Sequence, residues 1–537
     1  MEAVIEAITG DRVEGWAFDA RDPDAHLNVE LRLDGVVVAV GRADRGRPDL
    51  LAAGFGSGDH GFQTFLTAAQ AESLILNAMS IEAFAFSDHR PDRVAARLAD
   101  SFLAMAKTLR DNRPAVAPAP LSSRSARSIS IRGDSYLLRN LGEFNPSQLA
   151  RVSDPLADVT YVSLQMEGFG DAHWWAGEGA DRHPSAAHWM GKISSEDAAA
   201  MAAGRLRLLL DMSNEGQAAL TVAPWLEALH QGLALKGIPL DRVVLLTQNR
   251  RFAEQYAALR EQTAEGPGIK VLYYDYFPGR FAGLVAKSNP DQVVADRLAA
   301  HRAGLTTARP SRYVCLNYTP RPWRVGMLSW LMGRGHDLGG RLSFRGFSDR
   351  KDGGGLESVP GWFPHQDVIA TGFERLMAAG RMTLDLGPDY QGVPEFDVPL
   401  ELYRDSYFSI ITESEVSMGD VARITEKALK PFLGFHPFII VGNPGALSML
   451  RDLGFKTFHP FIDESYDRIT NVTDRLSALM TEIDRLMAMS PEALLDWYRA
   501  LSPILEHNYV QLTGVLPRQQ AFLTEPHLID ALIEATG

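Results

Sequence analysis

The sequence predicts an α/β protein with two parallel-sheet lobes behind a small all-β sandwich, and three observations carry that prediction. Strand-like and helix-like runs alternate from about residue 135 to 300, the pattern of a parallel sheet. A second alternation follows Tyr313 and contains two short β-branched and aromatic runs, Ser406 to Thr412 and Pro437 to Val441, that read as strands covered on both faces. Residues 1–110 instead alternate apolar and polar: Val29, Leu31 and Leu33 share a face, and Asp34-Gly35 supplies a hairpin turn before Val36 to Val40.

Composition bounds the function. A chain of 537 residues, 46% hydrophobic and 22% charged, can bury sizeable cores in two to four domains. The net charge of −14 argues against nucleic acid as a partner and against a broad basic membrane-facing patch, while leaving room for a local basic pocket. The single cysteine, Cys315, sits in the apolar run Tyr313 to Leu316, so no disulfide framework exists and a reducing compartment fits. The first residues carry acids where a secretory leader needs bases, and no stretch approaches 18 apolar residues. A cytoplasmic location is the expectation, with peripheral association at the inner face of a membrane compatible with it.

Taken in order, the β-module spans 1–110, with Trp16 and Phe62 expected in its core. A helix is expected from Ala99 to Leu109. The Pro-, Ala- and Ser-rich stretch that follows has too little periodicity to pack, so 111–134 reads as a linker, its Arg124 and Arg127 solvated. The first lobe covers 135–305, with strands at Val159–Met166, Arg205–Met212, Arg242–Thr247 and Ile269–Tyr274 and helices at Ala223–Lys236 and Phe252–Gln262. Three acids fall where these strands end: Glu167, Asp211 and Glu215. The carboxyl edge of an open α/β sheet is where ligands bind, which makes them candidate proton acceptors, although an acid after a strand is equally often a helix cap. Glu215 is the first choice, because Asn214-Glu215-Gly216 should form a turn that frees its side chain. The glycine-rich loop around His173-Trp174-Trp175 suits an acceptor-side lid or a folded surface loop.

The second lobe covers 306–475. Its first strand runs into Asn317-Tyr318-Thr319-Pro320-Arg321-Pro322-Trp323-Arg324 before a helix, so two guanidinium groups stand where a strand meets a helix N-terminus and can fork onto phosphate oxygens. Residues 337–400, dense in Gly and Pro, read as an insertion of loops. The chemistry is expected in residues 406–442. Thr425 can cap a helix bearing Glu426 and Lys427, whose free N–H groups suit a diphosphate, and Pro431 should kink or end that helix. A helix at Gly445–Leu453 and a strand at Lys456–Phe458 extend the alternation. In 476–537, Leu476, Met480, Ile483 and Leu486 form an apolar stripe and Ser490-Pro491 starts a further helix.

An acidic loop containing Glu413, then Ile424-Thr425-Glu426-Lys427, a proline, and Pro437-Phe438-Ile439 resembles the nucleotide-sugar site of the α1,3-fucosyltransferase-like branch of GT-B glycosyltransferases over about 40 residues. The segments Gly15-Trp16-Ala17, Arg47-Pro48-Asp49-Leu50 and Gly58 to Phe62 resemble the small β-module often fused to bacterial polysaccharide glycosyltransferases. The resemblance implies a GT-B fold, two Rossmann-like domains facing across a cleft, with terminal helices crossing back to the first. It implies donor contacts at Thr425, Glu426 (ribose), Lys427 (diphosphate), Glu413, Asn317, Arg321 and Arg324, with Glu215, Asp211 or Glu167 as base. The partners implied are a nucleotide-sugar donor and a glycan, lipid-linked glycan or protein acceptor, in surface polysaccharide or glycoconjugate synthesis. No metal and no other cofactor is expected, since the only Asp-x-Asp, Asp22-Pro23-Asp24, lies in the β-module and cationic side chains can replace a metal on the leaving group. HExxH, paired CxxC and P-loop patterns are absent. The competing function is a non-catalytic scaffold with a degenerate nucleotide cleft. Donor sugar, acceptor and anomeric outcome stay open.

Overall fold

The computed structural model describes residues 1–9, 12–33, 36–65, 81–87, 93–99, 129–157, 159–166, 175–176, 183–184, 191–263, 267–347, 356–384 and 396–535. The chain divides into two compact units, Met1–Ser125 and Ala126–Gly537.

The first unit contains eight described strands: β1 (Glu2–Thr9), β2 (Arg12–Phe18), β3 (Asn28–Leu33), β4 (Val36–Arg42), β5 (Gly61–Phe65), β6 (Ile81–Phe86), β7 (Arg93–Ala95) and β8 (Arg97–Leu98). They form two four-stranded sheets, ordered β5-β2-β1-β8 and β4-β3-β6-β7. Alternation along the strands aims Ile5, Val13, Val29, Leu31 and Phe62 into one shared core. Phe62 is buried, whereas Trp16 is half-buried and tilts against Phe55 with ring centres 4.9 Å apart. The Asp34-Gly35 turn and the Ala99–Leu109 helix fall outside the described residues, apart from Ala99 itself; β3 and β4 pair antiparallel on either side of that turn.

The second unit holds two parallel sheets. β9 (Ile129–Gly133), β10 (Val159–Gln165), β13 (Leu206–Met212), β14 (Val243–Thr247) and β15 (Lys270–Tyr273) make the first, in the order β15-β14-β13-β10-β9, all pairs parallel. Between β10 and β13, β11 (Trp175–Ala176) and β12 (His183–Pro184) form a separate two-stranded pair. Central strands read as apolar runs because both faces are covered. Helices Ser195–Ala202, Ala223–Leu235 and Phe252–Thr263 pack one face with Leu208, Leu210, Val243 and Leu245. Tyr161, Leu209, Val244 and Leu246 face the other way. There they meet helix Tyr136–Phe144 and, from the far end of the sequence, Leu528, Ile529 and Leu532 of helix Glu525–Glu534. The Tyr161 hydroxyl donates to the Leu532 carbonyl at 2.7 Å.

β16 (Ser311–Cys315), β17 (Gly340–Leu342), β18 (Ser406–Thr412) and β19 (Phe438–Val441) make the second sheet, ordered β17-β16-β18-β19 and again parallel. Its core is continuous with helices Pro322–Gly333, Val472–Met487 and Pro491–Val510. Among the described residues no helix is long and apolar enough to cross a membrane.

Three expectations change. Ile129–Gly133, placed in the linker, is the edge strand of the first sheet: its Ile129 and Ile131 are buried, and two apolar residues are too weak a pattern to separate from coil. Residues 337–400 are more than loops. Gln366–Ala379 is a helix packed against Pro322–Gly333 through glycine: a Cβ on Gly372 would lie 1.7 Å from the Ser329 carbonyl oxygen. Lys456–Phe458 is irregular. The amide of Asn508 takes both backbone groups of Lys456 at 2.8 Å and so substitutes for a neighbouring strand.

Candidate active-site cleft

In the second sheet the chain leaves β16 for β17 on one side and returns to β18 on the other. Such a reversal opens a crevice at the carboxyl ends of the strands, the usual ligand position in open α/β sheets. A cleft of about 450 Å³ lies there. The turn after β16 contributes Asn317, Tyr318, Thr319, Arg321 and Arg324; the segment after β18 contributes Ser414, Arg423, Glu426, Lys427 and Lys430; the first lobe contributes Asn214, Glu215 and Phe277.

Asn317 ties the two strand ends together. Its Oδ1 accepts from the Thr412 hydroxyl at 2.6 Å and its Nδ2 donates to Cys315 Sγ at 3.3 Å. Cys315 is fully buried, which pushes its thiol up to about 12 and leaves it inert. Arg324 is buried and donates only to carbonyls, those of Thr319 at 3.2 Å and Glu413 at 3.3 Å, while its Nε has no partner among the described residues. Burial, then the neighbouring Arg321, brings its pKa down to about 10, so this guanidinium is short of an anion. Arg321 is exposed and lies 5.7 Å from the Trp323 ring.

Glu426 is 2% exposed. Its Oε1 accepts from Lys427 Nζ at 2.7 Å, and its Oε2 is buried without a donor among the described residues. Burial pushes the carboxyl up, but Lys427 and Lys430 outweigh it and hold the pKa below the usual value. The result is a charged, buried acceptor with one oxygen free for an incoming hydroxyl. Lys427 Nζ also reaches Ser414 and Thr425 hydroxyls at 3.4 Å.

Thr425 and Glu413 shape the cleft without lining it, a correction to their expected role as donor contacts. Both are buried, and Glu413 accepts from the Thr425 amide at 3.2 Å and hydroxyl at 2.6 Å. Thr425 caps as expected, its oxygen accepting from the Lys427 amide. What it caps is a three-residue 3₁₀ turn, Glu426–Ala428, and Pro431 stands in the first turn of helix Lys430–Leu433 instead of ending one. On this side of the cleft, binding of an anion therefore falls to side chains, because no long helix opens after Thr425.

Of the two described acids considered as base, Asp211 and Glu215, the structure brings Glu215 to the cleft. Asp211 is corrected to a structural role: it is fully buried, and its carboxylate accepts from Ser135 Oγ and Ser213 Oγ at 2.6 Å and from the amides of Leu137 at 3.0 Å and Ser213 at 3.1 Å. Four donors consume its lone pairs and anchor the start of helix Tyr136–Phe144. Glu167 and the Trp174 loop lie outside the described residues, as do Arg124 and Arg127.

Arg423 is the functional candidate that the sequence did not announce. It is buried, lines the cleft, and its Nη1 stands 3.3 Å from both Glu215 and Glu415. Burial works against its charge; Glu415, Glu215 and Glu413 outweigh it and hold the guanidinium above its ordinary pKa. Gly216 makes room for its stem, since a Cβ there would lie 2.3 Å from Arg423 Cδ. The sole sequence signal is one basic residue in an otherwise acidic loop, GluSerGluValSerMetGlyAspValAlaArg. The first lobe holds that loop. Asn249 donates to the carbonyls of Asp420 and Gln217 at 3.1 Å and accepts from the Ala422 amide at 2.9 Å, and Gln248 donates to the Ile424 carbonyl at 2.9 Å.

No family model matches the chain, and no curated protein matches its sequence. Among solved structures it is similar to the N-terminal domain of Candida albicans trehalose-6-phosphate phosphatase, at 11% identity and TM-score 0.33 over 74% of each chain. It is also similar to an α,α-trehalose-phosphate synthase (UDP-forming) from Burkholderia vietnamiensis, at 12% identity and TM-score 0.35, over 75% of this chain and 80% of that one. Scores at this level assign nothing.

Proposed function

We propose that the protein is a glycosyltransferase of the GT-B type that moves a sugar from a nucleotide-sugar donor to a glycan, lipid-linked glycan or protein hydroxyl without a metal ion. One observation carries the proposal: a single cleft presents a buried carboxylate oxygen that needs a hydroxyl donor, Glu426 Oε2, and a buried guanidinium that needs an anion, Arg324. A nucleoside diphosphate offers both, as ribose hydroxyls and as phosphate oxygens.

In the reaction the acceptor oxygen attacks the anomeric carbon as its proton passes to Glu215, and the bond to the diphosphate breaks with its electron pair leaving on phosphate. Arg321, Arg324, Lys427 and Lys430 line the same cleft and would stabilise that developing charge. Preorganised cations of this kind contribute more than proton transfer, whose share is about 10² to 10⁴-fold. The resemblance to the fucosyltransferase-like branch supports the same roles for Glu426 and Lys427.

The test is a panel of UDP-, GDP-, ADP- and dTDP-sugars, read first by thermal shift and then by slow release of nucleoside diphosphate without acceptor. One nucleotide at 100 times its Kd should stabilise the fold by about 2.7 kcal/mol. Stabilisation without turnover would turn the protein into a binding scaffold, and no stabilisation by any nucleotide would sink the assignment.

A further inference from the structure

We propose that Arg423 is a shared counter-ion, with Glu215 occupying in the free protein a place on it that a phosphate of the donor takes over, so that the base is released only when the donor is loaded. The proposal rests on the donor-cleft reading above and adds to it an order of binding and a positioning role for Arg423.

Glu215 cannot serve two functions at once. A carboxylate committed to a buried guanidinium has its charge and one oxygen engaged, while a proton acceptor needs a free lone pair directed at the substrate hydroxyl. In the structure Glu215 Oε2 is 3.3 Å from Arg423 Nη1, and the Glu215 side chain keeps 31% of its surface exposed. Arg423 by contrast has only 3% of its side chain exposed and is boxed in: its stem crosses Gly216 and its loop is bonded to Asn249 and Gln248. The mobile partner of the pair is therefore Glu215. If it swings away alone, Arg423 keeps Glu415 at 3.3 Å but loses one of the two carboxylates in contact with it, and a buried cation tolerates that poorly. Another anion must replace it. Arg423 borders the same cleft as Arg321, Arg324, Lys427 and Lys430, so the replacement available is the anion those groups are placed to hold. Arg423 Nε, buried and without a partner among the described residues, supplies a further donor for it.

Inorganic pyrophosphate, titrated calorimetrically into the full-length protein, separates this from a plain structural ion pair. Glu215→Gln should bind pyrophosphate about five- to tenfold more tightly than the unaltered protein, because the competing carboxylate is gone. In an Arg423→Gln background the same Glu215→Gln change should have no effect. Should Arg423→Gln fail to fold, carbodiimide labelling of the unaltered protein gives a second measurement: labelling of Glu215, read by peptide mass spectrometry, should rise when pyrophosphate is added. Pyrophosphate binding that Glu215→Gln leaves unchanged, or labelling that does not respond, overturns the shared counter-ion while leaving the donor cleft standing. If pyrophosphate binds neither the unaltered protein nor Glu215→Gln, the donor cleft itself is wrong and the inference falls with it.

Discussion

Glu426 and Arg324 each hold a buried polar atom without a partner among the described residues. An unmet group of that kind costs about 1–3 kcal/mol, a strain that a ligand can relieve. Glu426→Ala is expected to raise donor KM with little change in kcat, because ribose contacts are the same in ground and transition states. A loss confined to kcat would move Glu426 into the chemistry. Lys427→Ala should weaken both donor binding and turnover, and values within about twofold of the unaltered enzyme would remove it from the diphosphate. Glu215→Gln should cut kcat by about 10² or more in steady-state assays with donor and acceptor. Of these residues, Glu426 and Lys427 were legible because a local pattern places them: a cap residue, a charged pair, a buried strand on each side. Arg321 and Arg324 were legible from the strand-to-helix junction. Arg423 was not, since its partners Glu215 and Glu415 come from another lobe and from its own irregular loop, and spacing along one chain does not encode a contact across a cleft. Asp211 failed for the opposite reason: position at a sheet edge says nothing about whether a carboxylate faces solvent or the amides of a neighbouring helix.

Elements with their own periodicity were found within a residue or two. Leu206–Met212, Val243–Thr247 and Ser406–Thr412 are mostly apolar and buried along nearly their whole length, and Val472–Met487 carries its stripe at helical spacing. Gln366–Ala379 was hidden by the Gly and Pro around it, although Ile369, Phe373 and Leu376 keep a helical period. Its glycine is a packing requirement: with Ser329's carbonyl under Gly372 and Val368's carbonyl 2.2 Å from a Cβ on Gly333, the two helices approach through backbone. Gly372→Ala should therefore lower stability by about 1–3 kcal/mol in urea unfolding. Helix propensity alone predicts the reverse sign, so a stabilised variant would show that the helices separate freely.

For the whole molecule, part of the acid stability follows from two buried histidines, His301 and His436. Burial, then Arg309, pushes His436 down to about 3; burial, together with Arg309 and Arg302, pushes His301 down to about 4. Both are neutral when folded, whereas the unfolded chain binds protons near pH 6.5. The stability they contribute is fully present above that value and is lost as pH falls towards 4, by up to about 1.4 kcal/mol per pH unit for each. Midpoints of unfolding between pH 7 and 5 should fall steeply, and His301→Gln should flatten the curve; an unchanged slope would place the titration elsewhere. The two parallel sheets were readable from alternation, whereas the return of the terminal helices to the first lobe was expected only from the resemblance and not from any pattern along the chain. The sheet of the first lobe is finished by a helix from the far end of the sequence, Glu525–Glu534. That arrangement has a price in biosynthesis. Leu209, Val244 and Leu246 leave the ribosome long before Leu528, Ile529 and Leu532 do, and at about 5–20 residues per second the stretch from Tyr274 to Glu525 takes roughly ten seconds to a minute to synthesise. For that interval the nascent first lobe presents a greasy, unroofed face while the second lobe is still being translated, and holding it apart from other nascent chains becomes work for a chaperone.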